Sequence, residues 1–295
     1  MKYFIPILFF LLISSAGLAQ DSLVLKTGKR IPFTRMAMVD DIIEVKHEVT
    51  KEFHTFPCDE VYGYSEGMKE RTYFIKPNPE EEDEQGQYLI LKRLIIGKIS
   101  VFEGTGNNQS LYFSKDKRFE KLFGVTESKS ERMDRLQILK SFVDNDDESM
   151  SYIGSSGFKF NWKEIIKVVE YYNDRNHDYR LPESDDVMGW VYLYRTKFQK
   201  TQDRIVIEMH GEDHDLYIED YIILPMPIEY ASKLSLRDSE IRSSYIMSGE
   251  LEEQFFEVIY DKKTNEFRFD KKTGTELQFE FFKIRDKVGK KITHD

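Results

Sequence analysis

Cysteine is nearly absent. The 295-residue chain carries one, Cys58, so no intramolecular disulfide can form even in an oxidising compartment, and stability must come from packing. Cys58 stands in Phe56-Pro57-Cys58-Asp59 with no neighbouring cysteine. A catalytic thiol would need a base beside it, and the segment reads as a buried, inert thiol. Positive charge is short as well. The net charge is −10, which repels phosphate backbones unless basic residues are concentrated. The basic pairs Lys262-Lys263, Lys271-Lys272 and Lys290-Lys291 lie in polar turns or at the terminus, so nucleic acid is not expected as a partner.

Catalytic signatures are also missing. No Gly-rich phosphate loop is present, and Gly154-Ser155-Ser156-Gly157 is not the Gly-x-Ser-x-Gly elbow of a hydrolase. The run Asp144-Asn145-Asp146-Asp147-Glu148 has Ser149 and Ser155 where a calcium-binding EF-hand loop needs Gly at the sixth place and Glu at the twelfth. Acidic pairs such as Asp185-Asp186 could serve glycoside hydrolysis only across a cleft whose spacing a sequence does not reveal. No cofactor is implied.

What is present points to a folded, exported protein. Apolar residues make up 40% and aromatics 14% of the chain, enough for real cores, and the length implies about two domains. Residues 1–19 are expected to be a signal peptide: Lys2 supplies a positive start, Ile7 to Ile13 an unbroken apolar segment, and Gly17-Leu18-Ala19 the small-x-small pattern before the cut. The apolar segment is shorter than the roughly 20 residues of a spanning helix. Position 20 is Gln, so no thiol at the cut can carry a lipid. The expected location is periplasmic or extracellular, neither a lipoprotein nor an integral membrane protein.

Residues 20–79 read as a small all-β unit of SH3-like or Sm-like kind, with short strands such as Leu23-Val24-Leu25, Ile42 to Lys46, Val61 to Tyr64 and Thr72 to Ile75. Residues 80–87, opening on Glu80-Glu81-Glu82-Asp83-Glu84, read as an acidic linker. From 88 to 180 comes an α+β region. The run Tyr88 to Ile96 is a buried strand or a short helix. Ile99 to Phe102 and Leu111 to Phe113 flank Gly104-Thr105-Gly106-Asn107-Asn108 as a hairpin. Two helices follow, each announced by capping-box spacing: Ser128 with Glu131, and Asn161 with Glu164. The second carries an apolar stripe of Trp162, Ile165, Ile166, Val169 and Tyr172.

Leu23 to Ile31, Leu94-Ile95-Ile96-Gly97-Lys98-Ile99-Ser100-Val101-Phe102, Tyr112-Phe113-Ser114-Lys115-Asp116 and the helix Lys163 to Asn173 together resemble a group of uncharacterised exported proteins of Bacteroidota. The resemblance covers roughly residues 1–176 and implies export and architecture, not an activity. Many such relatives carry cysteines around the helices. This chain has Asp144-Asn145-Asp146 and Asn173-Asp174 there, so a shared disulfide is absent.

Residues 185–295 turn strongly to β. Trp190 to Tyr194, Arg204 to His210, Leu216 to Leu224, Phe255 to Tyr260, Glu266 to Asp270 and Leu277 to Ile284 all read as strands of an antiparallel sheet or sandwich. A membrane barrel is the alternative, but its lipid face would carry basic residues at about 2–4 kcal/mol each near the midplane. The overall class is α+β, mostly β. Glu208-Met209-His210-Gly211-Glu212-Asp213-His214-Asp215 gathers the ligand types a divalent metal takes, making His210, His214 and Asp215 the candidate metal ligands. Apolar register argues against them: a turn at Glu212-Asp213 pairs Met209 with Leu216 and sets His210 opposite Asp215, leaving His214 in the turn. The favoured function is a non-enzymatic envelope protein that binds another envelope protein, or a glycan, through surface patches or an open strand edge. The alternative is a periplasmic hydrolase, or a glycan or small-molecule binder, with an unfamiliar acidic or metal-assisted site.

Overall fold

The computed structural model describes residues 21–67, 71–80, 88–105, 110–124, 127–176, 181–183, 186–197, 203–238, 241–251, 253–272, 281–285 and 288. The expected signal peptide, most of the acidic run, the tip of the central hairpin and residues 277–280 lie outside them. The protein is mostly β with a minority of helix, and no helix among the described residues is long and apolar enough to cross a membrane. It divides into two compact units, one spanning Gln20–Asp178 and the other containing Tyr179–Asp295.

The first unit is built on a ten-stranded antiparallel sheet: β1 (Ser22–Leu25), β2 (Arg30–Val39), β3 (Ile42–His47), β4 (Phe53–Pro57), β5 (Val61–Glu66), β6 (Arg71–Pro77), β7 (Tyr88–Ile95), β8 (Ser100–Gly104), β9 (Ser110–Lys115) and β10 (Arg118–Gly124). Spatial order runs β10-β9-β8-β7-β6-β5-β1-β2-β3-β4. The strands expected to form a separate small barrel are thus continuous with the central region. Pro77 pairs with Tyr88 across the acidic run, so that run joins two neighbours of one sheet. Glu80 at its start is held by Lys121 at 2.6 Å and by Arg135. The undecided Tyr88 to Ile96 run is a strand, and the expected hairpin forms with Val101 opposite Phe113.

Three helices pack on the β8–β10 side: α1 (Lys129–Phe142), α2 (Asp147–Gly154) and α3 (Trp162–Arg175). Ser128 closes a complete capping box with Glu131, and the Asn161 side chain accepts from the Glu164 N–H, satisfying donors that every helix start leaves open. Helix α2 is the one the sequence reading missed; the Asp146 side chain caps it by accepting from the Ser149 N–H. Val101, Leu111, Phe113 and Leu122 from the strands meet Leu139, Phe142, Ile165, Val169 and Tyr172 from α1 and α3 in one core. Trp162 packs only partly buried against it. A second core, with Leu23, Ile43, Val45, Val61 and the buried Cys58, lies under the first six strands.

Helix α3 is pinned to the sheet by a polar tie. The Asn173 amide donates to the Ile99 carbonyl and accepts from the Ile99 N–H, both at 2.9 Å, serving a fully buried backbone position as a neighbouring strand would. A Cβ at Gly97 would collide with that amide. The segment Leu94 to Phe102 and the helix therefore touch for a structural reason.

The second unit is a sandwich. One sheet has order β14-β11-β17-β18 and the other β13-β12-β15-β16, from β11 (Met188–Tyr194), β12 (Arg204–Met209), β13 (Glu212–Tyr217), β14 (Tyr221–Pro227), β15 (Ser232–Arg237), β16 (Arg242–Met247), β17 (Gln254–Asp261) and β18 (Glu266–Lys271). Val191, Leu224 and Val258 of the first sheet and Ile205, Ile207 and Leu234 of the second share one core, as face-packed sheets require. Pairing is antiparallel except between β11 and β17. Three expectations are corrected here. Leu216 to Leu224 is two strands with a turn containing Glu219 at positive φ. β15 and β16 were not foreseen. Residues 281–285 are helical, not strand, because Phe281 fills a nest formed by Tyr192, Tyr194, Tyr221 and Phe255.

Candidate functional site

The segment richest in metal-ligand types folds as a tighter hairpin than its apolar pattern suggested. Glycine decides the register: His210 (φ 54) and Gly211 (φ 85) both take left-handed conformations, the two-residue turn that matches strand twist. Met209 then pairs with Glu212, Ile207 with His214 and Ile205 with Leu216, correcting the expected turn at Glu212-Asp213. The three residues considered as ligands are dispersed by it. His210 Nε2 lies 3.0 Å from Ser232 Oγ, and burial pushes its pKa down. His214 occupies the face of Leu216, opposite Ile207. Asp215 alternates to the other face and pairs with Arg204 at 2.9 Å. Among the described residues no group of three or more His, Cys, Asp or Glu is placed to hold a metal ion.

Two other surface features have a defined geometry. The first is the edge at β4. The His47 N–H donates to the Glu52 carbonyl and the Cys58 N–H to the Asp41 carbonyl, which fixes alternation along β4: His54 and Phe56 bond inward to β3, while the backbone groups of Phe53 and Thr55 and the carbonyl of Pro57 point outward. No described hydrogen bond uses the outward groups of Phe53 and Thr55, whereas the Pro57 carbonyl accepts the first bond of the short 3-10 turn Cys58–Glu60. The exposed sheet face beside them is apolar in a row across three strands, where Val39 pairs with Ile42 and Ile42 with Pro57. Val39 is 63% and Ile42 51% exposed, and Phe53 55%. Pro57 has no N–H to offer and so limits how far another strand can extend. At the opposite edge, Arg135 of α1 donates to the Lys121 carbonyl of β10 at 3.0 Å.

The second is a groove of about 810 Å³ between α2 and α3. Each helix gives it one face at helical spacing: Glu148, Ser151, Tyr152 and Ser155 from α2 and the turn after it, and Lys167, Glu170, Tyr171 and Asp174 from α3. The Tyr152 hydroxyl donates to Glu164, which also pairs with Lys167 at 2.9 Å. These bonds hold the Glu164 carboxyl below its usual range, with the tyrosine bond the larger cause. At the far end Arg175 bonds Asp146, holding that carboxyl down too, and lays its guanidinium 3.7 Å over the Tyr171 ring. The Tyr171 hydroxyl reaches Glu148 at 3.2 Å, and the Tyr172 hydroxyl reaches Asn145 at 2.8 Å. Both carboxyls held down are fixed in the charged form, the reverse of what a general acid needs.

The one thiol is inert. Burial, with the charges of Asp41 and Asp59, pushes Cys58 up to about 11. Arg195 is fully buried in the sandwich unit, where its Nη1 donates to the carbonyls of Asp203 and Leu216, each at 3.3 Å; it serves the fold. Compared with known protein families, with curated proteins and with solved structures, the chain matches none.

Proposed function

We propose that this is an exported cell-envelope protein that works without catalysis, by binding another envelope component along β4. The observation that supports this reading is the coincidence, at one sheet edge, of outward backbone groups at Phe53 and Thr55 with the exposed row Val39-Ile42-Pro57. Natural sheets cover or charge such edges. The partner's chemistry follows: a short extended segment, offering N–H and C=O at alternate positions and one apolar side chain over that row. The signal peptide expected in residues 1–19 supports an encounter outside the cytoplasm.

The test compares capture from envelope extract by the immobilised wild type, Phe53→Lys and Thr55→Pro. Thr55→Pro removes an outward donor without touching the β3–β4 ladder, so both variants should keep the wild-type melting curve to within about 0.5 kcal/mol. A partner held by the wild type and lost by both supports the edge. Undiminished capture by both would refute it.

A further inference from the structure

We propose, resting on the reading of β4 as a binding edge, that the segment β4 receives is the β4 of a second copy of this chain, paired antiparallel about a two-fold axis at His54. The outward groups without a described bond are the N–H and C=O of Phe53 and of Thr55, because His54 and Phe56 bond to β3. A two-fold axis at His54 sets Phe53 opposite Thr55 of the second copy, and Thr55 opposite its Phe53. Each such pair exchanges both bonds, so every outward group finds its complement. The neighbouring registers leave groups over. An axis at Thr55 would oppose Phe53 to Pro57, which has no N–H and whose carbonyl already accepts within the turn Cys58–Glu60. An axis at Phe53 would oppose Thr55 to Lys51, whose N–H is spent on the His47 carbonyl.

The side chains agree with that axis. β4 is Phe53-His54-Thr55-Phe56-Pro57 and carries no acidic residue, lysine or arginine, although natural edges use charge to refuse another strand. β3 behind it carries one of each sign, Glu44 and Lys46. Two copies therefore meet here without local repulsion in spite of the chain's net −10. The Phe53 ring has Lys46 Nζ 5.6 Å over one face and remains 55% exposed. Across the axis it falls beside Thr55 and diagonal to Pro57 of the second copy, within aromatic reach of the exposed row Val39-Ile42-Pro57. Phe53 is thus the apolar side chain that covers that row. Such an isologous contact closes at two copies. It uses up the β4 edge of each, and at the far edge Arg135 already bonds the Lys121 carbonyl of β10, which opposes head-to-tail growth.

The test is analytical sedimentation of the full chain from about 1 to 300 μM, where a dimer is expected with a dissociation constant on the order of 10 μM, the transient range for a contact this small. Thr55→Pro removes the Thr55 N–H from both symmetric pairs, and Phe53→Lys sets two ammonium groups about the axis. Each should raise that constant by about tenfold or more with the melting curve kept. Register is read by oxidative cross-linking, in which the buried Cys58 takes no part. His54→Cys should give a covalent dimer, since opposed residues of a pair without hydrogen bonds stand about 4.5 Å apart between Cα atoms, within disulfide reach. Thr55→Cys, offset from its own copy by two residues, and Val49→Cys in the exposed turn should not. A chain still monomeric at about 300 μM, well above that range, would overturn the proposal, as would a dimer indifferent to both edge variants or faster cross-linking at 55 than at 54. If the monomeric chain nevertheless captures an envelope component that Phe53→Lys and Thr55→Pro lose, the edge reading stands and its occupant is a different protein. If neither dimer nor capture responds to the variants, the edge reading falls as well.

Discussion

Replacing Asn173 by alanine should unfold the first unit far more readily than the loss of one small polar side chain suggests. Ile99 is fully buried, and its N–H and C=O have the Asn173 amide as partner. Alanine leaves both groups without a bond at a cost of about 1–3 kcal/mol each, hence about 2–6 kcal/mol together. For a unit of this size that lowers the melting temperature by roughly 4–24 °C. Gly97→Ala attacks the same tie from the other side, since its methyl collides with the amide, and should cost about 1–3 kcal/mol. The double variant is the sharper measurement. With the amide gone the methyl has room, so Gly97→Ala on top of Asn173→Ala should add little, and the cycle should show coupling of 1 kcal/mol or more, about the size expected for touching residues. The assay is urea unfolding followed by tryptophan fluorescence in a Trp190→Phe background, where Trp162 alone reports on the first unit. A cost for Asn173→Ala below about 0.5 kcal/mol, the noise of surface substitutions, or strict additivity of the pair, would refute the reasoning.

Three further outcomes follow from the geometry. His210 has its pKa depressed by burial, so the unfolded chain takes up the proton first, and the sandwich unit should lose stability as pH falls below about 6.5 toward the folded value. His210→Asn keeps the left-handed turn and should remove that contribution from the pH dependence of urea midpoints. Cys58, at about 11, should be about one part in ten thousand thiolate at pH 7 and resist iodoacetamide in the native protein while reacting in urea. Rapid native alkylation would contradict its burial. Phe281→Ala empties the ring nest of Tyr192, Tyr194, Tyr221 and Phe255 and should cost about 3–5 kcal/mol in thermal unfolding of the second unit.

What was legible in the sequence was short-range. The starts of α1 and α3 could be read because Ser128 with Glu131 and Asn161 with Glu164 are local chemistry, and the central hairpin because its strands flank an obvious turn. Helix α2 escaped because Asp146 was weighed as a metal ligand and not as a cap. The His210 hairpin was misjudged because apolar matching outweighed the glycine, whose left-handed backbone fixes the turn. β15 and β16 are rich in serine and basic residues and carry a single aromatic residue, Tyr245, so little marks them as strands. Residues 281–285 are helical where ring packing against β11 and β17 overrides their strand-like composition. Neither the edge nor the groove had a signature: one depends on which strand comes last in a ten-stranded order, the other on two polar helix faces meeting.

The parallel match of β11 with β17 governs the order of assembly in the sandwich unit. Val191 finds its partner Gln254 more than 60 residues downstream, whereas β15 and β16 meet through a short hairpin. Closing the long connection is entropically slow. A chain emerging from the ribosome therefore keeps Val191 and Leu193 on a half-made sheet until β17 has been synthesised. A nonsense mutation ahead of residue 254 would strand that surface permanently and send the product to proteolysis or aggregates, even with most of the strands already translated.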